Sequence, residues 1–193
     1  MSARRVTQLT LAAFLVVAAV GGLARPLMPV DETRYLAVAW EMWLSGDYLV
    51  PTKNFELYTH KPPLLFWLIN LVWSVTGVSE IAARLVGPVC ATLTVAASAR
   101  LARRLWPDDP WIGARAALAL AGSMIFAISG GLTMFDALLA LTTVLAMLAL
   151  VRAVQTGRWL WWVGLGLGIG LGVLAKGPVI LIHTLPAMLA VPV

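Results

Sequence analysis

From residue 9 onward the chain is a series of apolar runs, each broken by a short polar or charged interval. That series constrains the fold more than any other feature. Hydrocarbon offers no water to the backbone, so a chain that crosses it must satisfy its own N–H and C=O groups, as helices or as a closed barrel. The runs here approach the ~20 residues that a helix needs to cross a bilayer and lack the polar–apolar alternation of barrel strands. Composition agrees: 61% of residues are hydrophobic and 12% charged, about half the charge of a soluble domain. The expectation is an all-α integral membrane protein with about six spans.

Residues 9–27 form the first run, preceded by Arg4 and Arg5. A positive flank before an apolar core also fits a signal peptide. The length of the run and the spans that follow favour an uncleaved first span with a cytoplasmic N-terminus. Further spans are expected over residues 81–99, 111–129, 134–150, 159–175 and from 179 onward. Between the first two lies the longest polar interval, within a first outer loop over residues 28–79. It opens Pro29-Val30-Asp31-Glu32-Thr33-Arg34-Tyr35 and closes Tyr58-Thr59-His60-Lys61-Pro62-Pro63. Its spacing predicts a short amphipathic helix over residues 31–44, with Leu36, Ala39, Trp40 and Trp43 on one face. Ser45-Gly46-Asp47 stops it. A helix this short lies along the interface rather than across the bilayer.

The run over residues 63–76 decides the topology. If it spanned, Arg100, Arg103 and Arg104 would be outside; if it lies flat or re-entrant, the run over 81–99 carries them to the cytoplasm. The positive-inside rule selects the second arrangement. It leaves a charge of +6 inside and −1 outside, which together make the +5 of the chain. Charge distributed this way concerns membrane orientation, and nucleic acid is not expected as a partner. Asp31, Glu32, His60, Lys61, Asp136 and Lys176 then fall in one layer at the outer face, although whole spans separate them in sequence. Ionisable groups beside a bilayer are costly and tend to mark function. The single cysteine, Cys90, excludes an internal disulfide. Most of the nine tryptophans stand near run ends, as interfacial anchors do. In the fifth run Gly164, Gly166, Gly168, Gly170 and Gly172 form small-residue stripes suited to close helix packing.

Each polar residue also has a plain structural reading. Asp31 can be the N-cap of its helix, with Glu32 favouring the dipole. Thr133-Met134-Phe135-Asp136 fits a capping box. Lys61 can snorkel, and Lys176 can stand in a turn broken by Gly177-Pro178. His60 alone is an ordinary loop histidine, and His183 can hydrogen-bond a neighbouring helix. Their common side of the membrane is what argues for a site.

The polar interval, with Ser45-Gly46-Asp47-Tyr48 inside it, resembles the first outer loop of bacterial glycosyltransferase family 39. These are the aminoarabinose lipid A transferases and relatives of the dolichyl-phosphate-mannose protein mannosyltransferases. Ser79-Glu80-Ile81-Ala82-Ala83-Arg84-Leu85 matches the start of the next span, Thr133-Met134-Phe135-Asp136 looks like a second acidic motif, and Leu174-Ala175-Lys176-Gly177-Pro178 resembles the family's Thr-Lys-Gly-Pro turn. The resemblance covers nearly the whole chain. It implies a C-type glycosyltransferase fold with two juxtamembrane helices in the first outer loop, of which residues 1–193 are the N-terminal part. It implies a polyprenyl-phosphate sugar donor and a lipid A-like or protein acceptor. Transfer would invert the anomeric centre at the periplasmic face of a bacterial inner membrane.

Residue by residue, the resemblance implies Asp31 and Asp136 as the essential acids. Lys61, Lys176 and Tyr58 would face the donor phosphate, with Glu32, Arg34 and Tyr35 in support. His60 stands where aminoarabinose-type relatives carry a Glu in a metal site, and histidine can also ligate Zn²⁺; the partner ligand is expected from later sequence. Ala37 and Trp40 depart from the Glu and Arg of that type. Residues 1–193 alone are expected to be inactive. Two other readings compete. A transporter or channel subunit would spread its charges through the depth of the spans. A non-catalytic assembly protein would need no ordered polar group at Asp31.

Overall fold

The computed structural model describes residues 1–191. Helix α1 (Ala3–Leu23) rises to a polar cap built from α2 (Asp31–Ser45), a small hairpin of β1 (Thr52–Lys53) and β2 (Glu56–Leu57), and α3 (Leu64–Thr76). The chain descends through the short α4 (Glu80–Arg84) into α5 (Val86–Leu105) and returns through α6 (Ile112–Ala121) and α7 (Met124–Gly130). The long α8 (Phe135–Thr156), α9 (Trp159–Lys176) and α10 (Val179–Leu189) complete the bundle. Helix α8 packs against α5 and α9, α5 against α1 and α6, and α10 closes over α8 and α9.

Among the described residues four helical stretches are long and apolar enough to cross a membrane: 3–23, 80–105, 135–156 and 159–176. These are the expected first, second, fourth and fifth spans, so the chain is a multi-pass membrane protein. The third differs from the straight helix expected. It is bent by 71° between α6 and α7. The break falls at Gly122-Ser123, where Ser123 caps a new helix by accepting from the backbone N–H of Phe126 at 3.5 Å, and Gly/Ser pairs are common kink sites. The sixth run yields a described helix of only 11 residues with Pro186 inside it. Residues 192 and 193, the end of that expected run, lie outside the described residues.

Helix α3 has 13 residues, or ~20 Å at 1.5 Å per residue, which is too short for ~30 Å of hydrocarbon. It packs against α2, as two juxtamembrane helices should. Asn70, buried between them, donates from Nδ2 to Ala39 O at 3.1 Å and Phe66 O at 2.9 Å. The buried face of α2 is Glu32, Tyr35, Val38, Ala39 and Met42. It is rotated from the face read off the sequence, because Trp40 turns outward and meets Trp73 edge-on at 6.3 Å. Leu36 and Trp43 pack at the margin of the core.

Glu41 fixes the hairpin, accepting from Thr52 Oγ1 at 2.8 Å and from the backbone N–H groups of Asn54 at 2.5 Å and Phe55 at 3.1 Å. Both tip residues have positive φ, 54° and 63°, a conformation that a phenylalanine rarely adopts without such support. In α9 the glycines divide by face. A Cβ added at Gly168 would lie 3.0 Å from Ala146 Cα, and one at Gly164 3.5 Å from Ala149 Cβ, whereas Gly166 and Gly170 have open space. The stripe four residues apart is the one that lets α9 approach α8.

Candidate active site at the loop end of the bundle

The residues expected in one layer do gather at one end of the bundle. Four aromatic rings from four segments form its floor. Tyr35 of α2 meets Phe135 of α8 at 4.8 Å and Phe66 of α3 at 6.4 Å; Phe66 meets Phe135 at 5.5 Å; and Tyr58, from the loop before α3, meets Phe66 at 6.2 Å. Tyr35, Phe66 and Phe135 are almost fully buried. Edge-on contacts of this kind add to the area they bury. The floor therefore holds the start of α2, the start of α3 and the start of α8 together.

The polar groups are mounted on it. Asp31 does not cap α2: position 30 precedes the helix without a side-chain cap. Its carboxylate instead accepts from Arg34 Nη2 and from Tyr35 Oη at 3.1 Å, and it keeps 38% side-chain exposure. Lys61 lies 5.8 Å from the centre of the Phe135 ring. Among the described residues no carboxylate lies within ion-pair distance of it. Tyr58 is buried, yet its hydroxyl has no partner, and neither has Arg34 Nε. Burial pushes the Tyr58 phenol above its ordinary value; the Arg34 cation opposes this and the Asp31 charge adds to it. Tyr58 is thus a neutral O–H donor at neutral pH. His60 is exposed and stacks obliquely on Tyr58, 5.4 Å between centres.

Asp136 stands in the first turn of α8, next to Phe135. The capping box does not form there, since Met134 is the N-cap residue and offers no side-chain bond, and the Thr133 hydroxyl is buried without a partner. Asp136 is ion-paired with Lys176, the last residue of α9, and retains 52% side-chain exposure. It borders two cavities of about 430 and 400 Å³. One runs under α7, along Phe126, Ser129 and Gly130. The other runs between α5 and α8 toward His183. Neither wall includes Asp31, Lys61 or Tyr58. The two acids are therefore joined through Tyr35 and Phe135 rather than by facing one another across one of these cavities. The arrangement offers two solvated carboxylates, one unpaired ammonium and two unspent donors around an aromatic floor. It suits a substrate that carries an anion.

Sequence reasoning gave Glu32 only a supporting place, and it omitted Arg25. In the structure the Glu32 side chain is 0% exposed and accepts from Arg25 Nη1 at 2.5 Å, Arg25 Nη2 at 2.9 Å, Met28 N at 2.8 Å and Thr133 N at 2.7 Å. Burial would raise its pKa, but the bonds from Arg25, Thr133 and Met28 outweigh it and hold the carboxyl below its ordinary value. The signal that could have revealed it was a second acid directly after Asp31, followed by no local cation able to reach it from within the helix.

The metal site expected at His60 would take its partner ligand from later sequence, outside residues 1–193. Among the described residues no three His, Cys, Asp or Glu side chains come together as a ligand set, and His60 faces a tyrosine ring.

Comparison with known proteins meets this geometry. The undecaprenyl phosphate-alpha-4-amino-4-deoxy-L-arabinose arabinosyl transferase of Pseudomonas aeruginosa PAO1 is 34% identical over the whole chain, which spans 35% of that protein. The arabinosyl transferase 2 of Sodalis glossinidius is 34% identical over 69% of the chain and 24% of its own length. Crystal structures of ArnT from Cupriavidus metallidurans superpose on 94% of the chain, which covers 35% of theirs. The apo form gives a TM-score of 0.77 at 26% identity, and the form bound to undecaprenyl phosphate 0.78 at 28%. The chain thus spans about a third of the length of these relatives, and it shares the all-α membrane fold of C-type glycosyltransferases. The model of the dolichyl-phosphate-mannose-protein mannosyltransferase family matches residues 60–191, from His60 and Lys61 through both Asp136 and Lys176, and the chain is a member of that family.

Proposed function

We propose that the protein containing this chain transfers a sugar from a polyprenyl-phosphate donor to a lipid A-like acceptor at the periplasmic face of a bacterial inner membrane, with inversion. The undecaprenyl phosphate-linked aminoarabinose named for its relatives indicates the donor class. The observation that carries the reading is the unspent charge of the site. Among the described residues Lys61 has no carboxylate partner and Tyr58 a buried hydroxyl with nothing to donate to, which is the donor set that a phosphate would satisfy. In this orientation the N-terminus is cytoplasmic, as the arginines of the opposite end favour.

In the reaction the bond from the anomeric carbon to the lipid phosphate breaks as the acceptor oxygen attacks from the opposite face. The departing phosphate already stabilises its electron pair, so little protonation is needed. Lys61, with Tyr58, offsets the charge that develops on it. The transition state has oxocarbenium character, which a nearby carboxylate stabilises. Asp31 takes the proton of an acceptor hydroxyl, and the bonds from Arg34 and Tyr35 aim its carboxylate. Asp136 holds Lys176 at the edge of the site and lends the second negative charge. If the attacking group is an acceptor phosphate, no base is required and Asp31 positions it.

The test is transfer of labelled sugar from a polyprenyl-phosphate donor in membranes that carry the full-length protein. Asp31→Asn and Asp136→Asn are each expected to lose most of the transfer while accumulating normally. Wild-type transfer in Asp31→Asn would return that residue to a structural role and sink the proposal.

A further inference from the structure

The acid that follows Asp31 has a different surrounding and ties together the two segments that carry the candidate acids. Glu32 accepts four hydrogen bonds from three places: two from Arg25 and one from Met28 in the turn after α1, and one from the backbone N–H of Thr133, 101 residues away. Arg25 Nη2 also reaches Gly131 O at 3.4 Å. Behind it Arg84, likewise buried, donates to Gly22 O and, at 2.7 Å, to Arg25 O, while it pairs with Glu80 at 2.9 Å.

Glycines make this closeness possible. A Cβ on Gly22 would stand 2.6 Å from Gly131 O, and one on Gly87 2.1 Å from Leu132 O. The backbone of residues 131–133 therefore sits directly on α1 and α5, and Glu32 pins its far end. Asp31 is one residue before this tie and Asp136 three residues after it.

A buried ion pair is a poor way to stabilise a fold, because desolvating the charges consumes much of their attraction, and apolar side chains of similar volume often serve as well. Apolar packing cannot fix the register of one N–H against one carboxylate oxygen. We propose that Glu32, held by Arg25 and backed by Arg84, is a positioning residue that sets the start of α2 against the start of α8 and so fixes Asp31 relative to Asp136. This rests on the transferase reading above and deepens it. Because Glu32 is sealed from the solvated site, it governs the alignment of the reacting groups and leaves the capture of the lipid phosphate by Lys61 and Tyr58 untouched.

The experiment uses the full-length protein in nanodiscs. Undecaprenyl phosphate is the binding probe and labelled-sugar transfer the kinetic readout. Glu32→Gln retains one acceptor oxygen, enough for either the Met28 or the Thr133 N–H but not both, since they bind different carboxylate oxygens, and it loses the charge opposite Arg25. Arg25→Lys retains the charge and loses the fork. Each is expected to keep the Kd for undecaprenyl phosphate and the donor KM within about threefold while kcat falls roughly a hundredfold, the scale of a small misplacement of reacting groups. Wild-type kcat in both folded variants overturns the proposal. So does loss of undecaprenyl phosphate binding in step with kcat, or failure of both variants to fold, since either result assigns the cluster to stability alone. The Asp31→Asn control separates the two claims. If it is inactive while Glu32→Gln turns over normally, only the clamp fails; if it is fully active, the transferase reading fails first.

Discussion

Asp31 and Glu32 are neighbours in sequence and opposites in surroundings. Asp31 keeps more than a third of its side chain in water and binds two side chains of its own helix. Glu32 is sealed and binds the Arg25 side chain, the backbone N–H of Met28 and that of Thr133, 101 residues away. The same contrast divides the loop end of the molecule. One half, around Arg25, Glu32, Arg84 and Gly131, is dense with hydrogen bonds and tight glycine contacts, with the Arg84 Nε donor left without a partner among the described residues. The other half, around Asp31, Tyr58, Lys61 and Asp136, retains exposed charge and unspent donors. A carboxylate with every lone pair engaged cannot take a proton or meet a substrate; one held from a single side can. The dense half is architecture, and the open half is where chemistry can occur.

The largest expected effect lies in the open half. In the full-length protein Asp31→Asn should lower kcat by at least about a hundredfold, the lower bound for loss of a general base, with thermal stability nearly unchanged. Measured together, kcat and Tm decide the point: a fall in Tm that accounts for lost activity would place Asp31 with Glu32 in the architecture.

Next in size is the dense half. Arg25→Ala leaves the buried Glu32 carboxylate with only two backbone donors. It is expected to destabilise by about 3 kcal/mol, the low end for a broken buried pair, because Arg25 itself is 29% exposed. The pH dependence has a definite sign. Glu32 titrates below its ordinary value of 4.5 in the folded protein. Its stabilisation is therefore complete above that value and is lost as pH falls through the lower folded pKa. Thermal melts from pH 8 to pH 3.5 should show a loss confined to the acid end, and Glu32→Gln should remove that part of it. An equal acid loss in both proteins would place the titrating group elsewhere.

Lys61→Ala should come third. It removes the unpaired ammonium beside Phe135, and a charge-assisted bond contributes about 1.5–3 kcal/mol. Undecaprenyl phosphate should bind roughly ten- to a hundredfold more weakly in the full-length protein, with Tm little changed, because among the described residues the lysine pairs with no carboxylate and its contact with the Phe135 ring is long, at 5.8 Å. Unchanged affinity would return Lys61 to a snorkelling role.

These two halves were not equally legible. Charge placement along the chain was enough to put Asp31, Lys61, Asp136 and Lys176 at one end, because spans of fixed length leave few ways to thread fourteen cations and nine acids. That α3 is too short to cross the hydrocarbon could be read from the length of its run. Features that depend on partners far along the chain were invisible. Glu32 reads as a dipole residue until Thr133 is brought to it. The face of α2 was misjudged because Leu36, Trp40 and Trp43 form as good a stripe as Tyr35, Val38 and Met42, and only contact with Phe66 and Phe135 chooses between them. The bend in the third span lay in plain view at Gly122-Ser123, inside a run whose apolar character suggested continuity. The N-cap reading of Asp31 and the capping-box reading of Thr133 to Asp136 failed for a related reason. A carboxylate offered an arginine, a tyrosine or a lysine has better partners than a backbone N–H.

The smallest effect tests whether architecture and chemistry separate as far away as α9. Gly168 and Gly166 differ by two residues and by face. A methyl at Gly168 would press on Ala146 at 3.0 Å, including backbone atoms that cannot swing aside, whereas one at Gly166 meets nothing within 4 Å. Gly168→Ala should destabilise by about 1–3 kcal/mol through overpacking. Gly166→Ala should gain up to about 1 kcal/mol from helix propensity, less whatever the lipid environment already provides. In both variants kcat per folded molecule should stay at the wild-type value, since the α8–α9 seam lies away from Asp31 and Lys61. Lys176, however, ends the same helix and pairs with Asp136. A fall in kcat for Gly168→Ala with undecaprenyl phosphate affinity intact would mean that the seam transmits a shift to Asp136, and that the architectural half of the molecule extends through α9 into the site.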